Sequence, residues 1–157
     1  MKNESNLILE NKDFDHLNLD PYMWDSFGIN DIMFINCTFD QPTLEWFHNC
    51  QFTNCYLDNL YMRKGQFTNC QFNNCQLVNL SFCAGDLLWN TFTNCSFINN
   101  DFRHIAIENC TFKDCQFQMD NSNMFDPIAP DNIKVWHEGE WRTITDWQEF
   151  LRLQTPN

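Results

Sequence analysis

The chain has 157 residues and a formal net charge of −12, with 16 Phe, 9 Cys and 22 Asn but only 3 Ala and 4 Gly. So few Ala argue against a helical bundle, so few Gly leave little material for a phosphate-binding loop, and the acidic excess argues against direct binding to nucleic acid or an anionic membrane. Because no apolar run approaches the ~18 residues of a membrane span and the N-terminal residues do not resemble a signal peptide, we expect a cytoplasmic protein.

Large apolar residues recur every five positions in the first 45 residues, from Leu9 to Leu44. This segment holds nine acids and two bases, a balance of −7, whereas residues 46–119 are close to neutral. An acid directly follows many of the apolar residues: Glu10, Asp15, Asp20, Asp25, Asp40 and Glu45. Successive units would lie on successive sides of a coil, so we expect these acids to ring it.

The spacing of five is uninterrupted from Phe47 to Phe117 and fits neither the period of a helix nor that of an ordinary strand. A second period of 20 relates two series: Cys55, Cys75, Cys95 and Cys115, and Phe52, Phe72, Phe92 and Phe112. Four units per turn predict an all-β, square, parallel β-solenoid whose coils stack at ~4.8 Å. The frame slips at residues 42–47, where the pattern leaves open either a bulge at Pro42–Leu44 or an irregular corner.

The repeat resembles the pentapeptide-repeat family, whose motif centres on Leu or Phe with a small residue two places earlier. The matching units are NCQFT, NCYLD, NCQFN, NCQLV, NCSFI and NCTFK. The resemblance implies a right-handed quadrilateral β-helix. Cys stands where the family usually has Ala, and since a buried Cys behaves as a small hydrophobe, the expected fold is unchanged.

Nine cysteines invite a metal-site interpretation, but their C-x4-C spacing is not the C-x2-C of a zinc site. The 20-residue period predicts one inward sulfur per coil, and an odd count in a cytoplasmic protein favours thiols over disulfides. We therefore expect the cysteines to be packing residues, apart from Cys83, which should point outward. No metal, cofactor or catalytic motif is predicted, and the chain is interpreted as a non-enzyme.

Some outward positions carry apolar residues where polar ones are usual: Tyr56, Tyr61, Val78, Leu88, Trp89 and Ile98. Contiguous apolar surface of this kind marks either a partner site or a patch covered by another part of the same chain. Trp89 is the best single candidate for binding, because the repeat offers it no inward role. The competing interpretation is that the C-terminal hairpin covers it.

Residues 1–119 are assigned to the solenoid and residues 120–157 to a C-terminal unit. Residues 133–144 read as a hairpin with Gly139 at the turn, and Thr145 and Asp146 open a short helix. We expect this unit to cap the last coil. The resemblance offers an alternative, since some family members that bind topoisomerases form homodimers through a C-terminal helix.

The resemblance implies three classes of function. The first is an immunity factor that binds and neutralises a partner toxin, the second is a DNA mimic that protects DNA gyrase from inhibitors, and the third is a structural scaffold. The middle of the chain is too neutral and too short for a long acidic face, which favours the first class. Contact with a protein partner is expected through the outward apolar residues, through the acidic ends with Asp15, Asp20 and Asp25, or through both.

Overall fold

A computed structural model of the chain describes residues 7–15, 28–40, 46–60, 65–82 and 84–154. Its regular elements are short strands, most of three residues, followed by a hairpin and a helix. In chain order they are β1 (Leu7–Glu10), β2 (Asp13–Phe14), β3 (Gly28–Asn30), β4 (Ile32–Ile35), β5 (Thr38–Asp40), β6 (Trp46–His48), β7 (Gln51–Thr53), β8 (Tyr56–Asp58), β9 (Gln66–Thr68), β10 (Gln71–Asn73), β11 (Gln76–Val78), β12 (Asp86–Leu88), β13 (Thr91–Thr93), β14 (Ser96–Ile98), β15 (Ala106–Glu108), β16 (Thr111–Lys113), β17 (Gln116–Gln118), a 3₁₀ turn (Ser122–Met124), β18 (Ile133–His137), β19 (Glu140–Ile144) and α1 (Trp147–Gln154).

The strands form a parallel β-solenoid with sheets on three of its four sides, which confirms the predicted fold. An eight-stranded sheet has the order β1-β4-β7-β10-β13-β16-β18-β19, a six-stranded sheet β17-β14-β11-β8-β5-β2, and a five-stranded sheet β15-β12-β9-β6-β3. On the fourth side the described residues contain only the isolated bridge between Ser81 and Asp101. Within each regular coil the chain passes through the eight-stranded sheet, the six-stranded sheet, the fourth side and the five-stranded sheet, in that order. The six- and five-stranded sheets therefore lie opposite each other.

The corners between strands explain why Asn is so abundant. Corner residues such as Asn54, Asn74 and Asn94 have φ between 52° and 56°, in the left-handed region that Asn tolerates better than most residues. Their side chains also join the coils, because the Nδ2 of Asn94 donates to the Oδ1 of Asn74 (3.0 Å), and Asn74 donates to Asn54 (2.7 Å). The Asn column therefore stabilises both the corner and the stack.

The first coils depart from the 20-residue period. Leu9 pairs with Phe34, 25 positions later, which adds one unit to the first coil. Phe34 pairs with Phe52, only 18 positions later, which agrees in size with the predicted frame slip. The slip itself falls largely within residues 41–45, outside the described part of the chain.

Stacked phenylalanines fill the centre of the solenoid. Phe52, Phe72, Phe92 and Phe112 are consecutive rungs, with ring centroids 4.7, 4.8 and 5.0 Å apart and nearly parallel planes. All four side chains are buried. Each aromatic neighbour contributes about 0.5–1.5 kcal/mol beyond area burial, so the stack is a main source of stability.

The C-terminal unit closes the last coil, as expected for a cap. Strand β18 pairs in parallel with β16 and antiparallel with β19, and the turn between them is Glu138-Gly139, both at positive φ. The side chain of Asp146 caps α1 by accepting from the amide of Glu149 (2.8 Å). Phe150 is fully buried, with its ring 4.9 Å from that of Phe112.

The apolar side of α1 packs against the rest of the same chain. Trp147 donates its indole N–H to the carbonyl of Ile128 (2.8 Å), and Trp147 and Leu151 pack on the core. The outward side of α1 carries the exposed residues Gln148 and Arg152. A homodimer contact through this helix stays a prediction, and it would have to use that polar side. In the part of the chain that the structure describes, no helix could span a membrane, since α1 has only eight residues.

Candidate protein-binding surface

The predicted surface residues lie on two opposite sides of the solenoid. Leu88 belongs to the five-stranded sheet, and Trp89 occupies the corner that follows it. Tyr56, Val78 and Ile98 belong to the six-stranded sheet, with Val78 and Ile98 directly paired. Three further candidates, Tyr61, Asp20 and Asp25, lie outside the described residues, as does Cys83. No flat partner can contact both sets at once.

Trp89 interrupts a column of hydrogen-bonded side chains. Its corner column contains Asp31, Asn49, Asn69, Trp89, Asn109 and Asn132. Asn49 donates to Asp31 (2.6 Å), Asn69 to Asn49 (3.0 Å) and Asn132 to Asn109 (2.8 Å). Trp89 has φ of 60° and is 61% exposed, a conformation that is unfavourable for a bulky residue. The hairpin therefore does not cover Trp89, contrary to the competing interpretation.

The backbone beneath Trp89 is held by its neighbour Asn90, which is fully buried. The Oδ1 of Asn90 accepts from the amide of Cys70 (2.9 Å), and its Nδ2 donates to the carbonyl of Phe67 (2.8 Å). Both bonds reach the preceding coil, so a strained and exposed indole stands on a rigid base. A strained backbone conformation of this kind persists only where contacts with the surrounding structure hold it in place.

Trp46 is a second aromatic residue on the same side, and the sequence analysis did not single it out. It is half-buried in β6, and its partner in the sheet is Gly28. A Cβ at position 28 would overlap the six-membered ring of Trp46, so the indole occupies the space that a side chain would take. The available signal was the place of Trp46 directly before a central Phe, where polar residues are usual.

A cleft of about 360 Å³ lies between Trp46 and Leu88. Its floor includes Gln66 and Thr68 on the intervening strand β9, and His48 stands at its edge. The hydroxyl of Thr68 is buried without a hydrogen-bond partner in the described part of the chain, so it can accept or donate one bond to a bound group. We name Trp46, His48, Thr68, Leu88 and Trp89 together the tryptophan surface.

The opposite side carries an acidic column. Phe14 and Phe39 are partners in the six-stranded sheet, and each is followed in the chain by an acid, Asp15 and Asp40. Asp40 in turn pairs with Asp58 on the next strand. The expectation that the acids ring the coil therefore fails for these two, because the 25-residue first coil brings Asp15 and Asp40 to the same side. Val78 and Ile98 continue the row beyond Asp58.

The described cysteines are buried free thiols arranged in columns. The thiol of Cys95 donates to the carbonyl of Phe72 (3.4 Å) in the preceding coil, and that of Cys115 donates to Phe92 (3.4 Å). Burial raises the pKa of Cys110 to about 12, and the adjoining Cys115 thiol raises the pKa of Cys95 to about 12. These thiols are protonated at neutral pH, which suits packing and opposes nucleophilic chemistry. The described residues contain no cluster of three ligands able to hold a metal ion.

A family model described as a pentapeptide repeat region matches residues 45–124, about half of the chain. The chain belongs to the pentapeptide-repeat family. No curated protein matches it.

Solved structures of QnrB1, described as a plasmid-mediated fluoroquinolone resistance protein, are among those that this chain matches. The full-length form is 12% identical with a TM-score of 0.25, over 94% of this chain and 96% of that one. A trypsin-treated form is 14% identical with a TM-score of 0.27, over 83% of this chain and 90% of that one. At these values the likeness carries no inference about function.

Proposed function

We propose that this pentapeptide-repeat protein is a non-catalytic, protein-binding solenoid that neutralises a toxic partner protein, as an immunity factor does. The partner would bind the tryptophan surface on the five-stranded sheet. The observation that carries the proposal is Trp89, which replaces Asn in an otherwise hydrogen-bonded column, adopts a strained backbone conformation and leaves most of its indole in solvent.

The tryptophan surface has the composition of an interaction hot spot. Such sites combine Trp anchors with a pocket that excludes water, and each anchor typically contributes ~2 kcal/mol or more. The half-buried Leu88, which directly precedes Trp89 in the chain, lines a cleft of about 360 Å³, large enough for one apolar or aromatic side chain of the partner. Thr68 offers that side chain, or its backbone, a hydrogen bond inside the cleft.

Charge around the surface favours a basic partner. Glu108 pairs with Leu88 in the sheet, and Asp86 lies on the same strand as Leu88. Burial raises the pKa of Asp86, but the chain as a whole carries −12. Acidic rims chiefly accelerate association, and screening by salt weakens the effect. We therefore expect faster association at low ionic strength, with the acids Asp15, Asp20 and Asp25 contributing to the long-range attraction.

A second candidate function, protection of DNA gyrase, is favoured by the acidic column. Asp40 and Asp58 are paired in adjacent strands, and Asp15 precedes them in the same row, so carboxylates repeat along one side as phosphates do along DNA. The column is short, because the apolar residues Val78 and Ile98 occupy the next two positions of the row after Asp58. Gyrase protection would use the six-stranded sheet, whereas toxin neutralisation would use the opposite side.

Two variants separate these candidates. Trp89→Asn restores the corner column, and Asp40→Asn with Asp58→Asn removes the charge of two of the three carboxylates in the acidic column without changing side-chain size. Affinity capture from the source cell with wild-type and variant proteins identifies a partner that depends on Trp89, and co-expression then measures survival against that partner. In parallel, a gyrase supercoiling assay with a quinolone tests protection.

For toxin neutralisation, we expect that wild-type and Asp-variant proteins rescue growth and that Trp89→Asn does not. Rescue of gyrase by wild-type protein, lost in the Asp variant and kept in Trp89→Asn, would instead support the second candidate.

A further inference from the structure

A second cleft, which we name the hairpin cleft, lies where the hairpin, the end of α1 and one corner of the solenoid meet. Its volume is about 480 Å³. The residues that line it include Asn94, Asp114, Trp136, Glu138, Leu153 and Gln154. The cleft belongs to a different part of the molecule from the tryptophan surface, which lies on the five-stranded sheet.

Gln154 contributes a buried donor that lacks an acceptor. The residue is 4% exposed, and its side-chain Nε2 is buried and has no hydrogen-bond partner among the described residues. A buried amide without a partner destabilises the folded state. Gln154 also lines the cleft, so a carbonyl oxygen of a bound molecule could supply the missing acceptor.

The Asn column at this corner ends in two neighbouring acceptors. In the rungs Asn36–Asn11, Asn74–Asn54 and Asn94–Asn74, the Nδ2 of the later residue donates to the Oδ1 of the earlier one. The next corner residue is Asp114, at φ of 55°, and its carboxylate has no N–H to donate to Asn94. A ligand with several N–H donors would satisfy both groups.

The charges around the cleft favour a cation beside Asp114. Glu138 is already near Arg142 (3.5 Å) and His137 (3.7 Å). Lys113 places its Nζ 4.7 Å from the ring centroid of Trp136. Asp114 has neither an ion pair nor a hydrogen bond to a cation in the described part of the chain, so it is the carboxylate left for a ligand.

We infer that the hairpin cleft binds an arginine side chain carried by an extended segment of the partner protein. The planar guanidinium has enough donors to bond the carboxylate of Asp114 and the Oδ1 of Asn94 together, which a lysine ammonium does with poorer geometry. The arginine methylenes pack against Trp136 and Leu153, and a backbone carbonyl of the segment accepts from Gln154. This inference rests on the proposed protein-binding function and names a second contact for the same partner.

The test titrates the full chain, labelled with ¹⁵N, with arginine whose amino and carboxyl ends are blocked as amides. We expect saturable shifts of the Gln154 side-chain amide and the Trp136 indole N–H. Blocked citrulline, which keeps the shape and loses the charge, should bind at least about ten-fold more weakly. Equal binding of the two, or no shift with either, would overturn the inference, and tighter binding of free arginine would overturn its assignment to a partner segment.

Two variants distinguish a binding role from a structural one. Asp114→Asn restores a donor to the Asn column, so we expect the melting temperature to rise and the affinity for blocked arginine to fall at least about ten-fold. Gln154→Leu removes the unpaired donor and should also raise the melting temperature while weakening binding. Unchanged affinity in both variants would overturn the inference. Because the probe is a small molecule, Trp89→Asn should respond like wild type, so this result is independent of the tryptophan surface.

Discussion

The indole of Trp46 lies over Gly28, its partner in the five-stranded sheet, and fills the space of the absent side chain. Gly28 shows no positive φ, so the requirement for glycine comes from this contact and not from the backbone. This contact fixes the position of one wall of the cleft in the tryptophan surface, because Trp46 faces Leu88 across the cleft.

Gly28→Ala should therefore destabilise the protein by about 1–3 kcal/mol, as expected for overpacking. Urea unfolding of the single and double variants measures the effect. In a Trp46→Ala background the same substitution should be close to neutral, because the clashing ring is gone. An equal cost in both backgrounds would show that Trp46 is not the cause.

The Phe stack makes Phe92 highly sensitive to charge. Its ring lies 4.8 Å from that of Phe72 and 5.0 Å from that of Phe112, so Phe92→Asp would bury an unpaired carboxylate and should abolish folding. Phe92→Leu is the control, since Leu57 and Leu77 occupy the central positions of the adjoining six-stranded sheet, and it should fold at a modest cost because it keeps an apolar side chain and leaves only a small cavity. Circular dichroism checks both, and a cooperative native-like Asp variant would contradict the stacked coil.

The Cys95 thiol packs within its column and donates to the preceding coil. Cys95→Ala should lower the free energy of unfolding by about 1–2 kcal/mol without changing partner binding. Denaturant unfolding and a binding assay on the same preparation test this. Stoichiometric zinc or iron in the purified wild-type protein would contradict the interpretation of the cysteines as packing residues.

The raised pKa of the buried Cys110 thiol predicts a loss of stability at alkaline pH. In the unfolded chain this thiol has a pKa near 9.0, whereas burial in the folded protein raises its pKa to about 12. Its contribution is therefore fully present below pH 9 and is lost as the pH rises toward 12.

Unfolding under reducing conditions at pH 8.0 and 10.5 should show a loss of about 2 kcal/mol that is due to the Cys110 thiol. Cys110→Ala serves as the control and should lose correspondingly less between the two pH values. An identical loss in the variant would assign the effect to other groups.

The solenoid could be predicted from sequence because its central residues recur at a fixed interval. Phe52, Phe72 and Phe92 are in register as their spacing requires. The 25-residue first coil could not be predicted, because an added unit of five residues leaves the frame of Leu9, Phe14 and Phe34 unchanged. Only the pairing of Leu9 with Phe34 reveals it.

The candidate site was predicted less completely. The exposed position of Trp89 followed from the repeat, since it stands where Asn is usual. The packing of Trp46 on Gly28 could not be predicted, because the two residues are 18 positions apart across the irregular part of the repeat. The regular repeat, by contrast, does separate Leu88 from Tyr56, because their central neighbours Leu87 and Leu57 are six units, or one and a half coils, apart and so lie on opposite sides.

The most direct test of the account compares the affinity of the captured and purified partner for wild type, Trp89→Asn and Tyr56→Gln. Tyr56→Gln is the matched control, because it changes an exposed aromatic residue on the opposite side to the residue of its neighbour Gln76. Trp89→Asn should leave the free energy of unfolding unchanged or raise it by up to about 1 kcal/mol, since Asn tolerates the corner conformation. The account predicts that Trp89→Asn weakens the complex by about 30-fold or more, corresponding to ~2 kcal/mol, while Tyr56→Gln binds as wild type. An unchanged affinity of Trp89→Asn would contradict it.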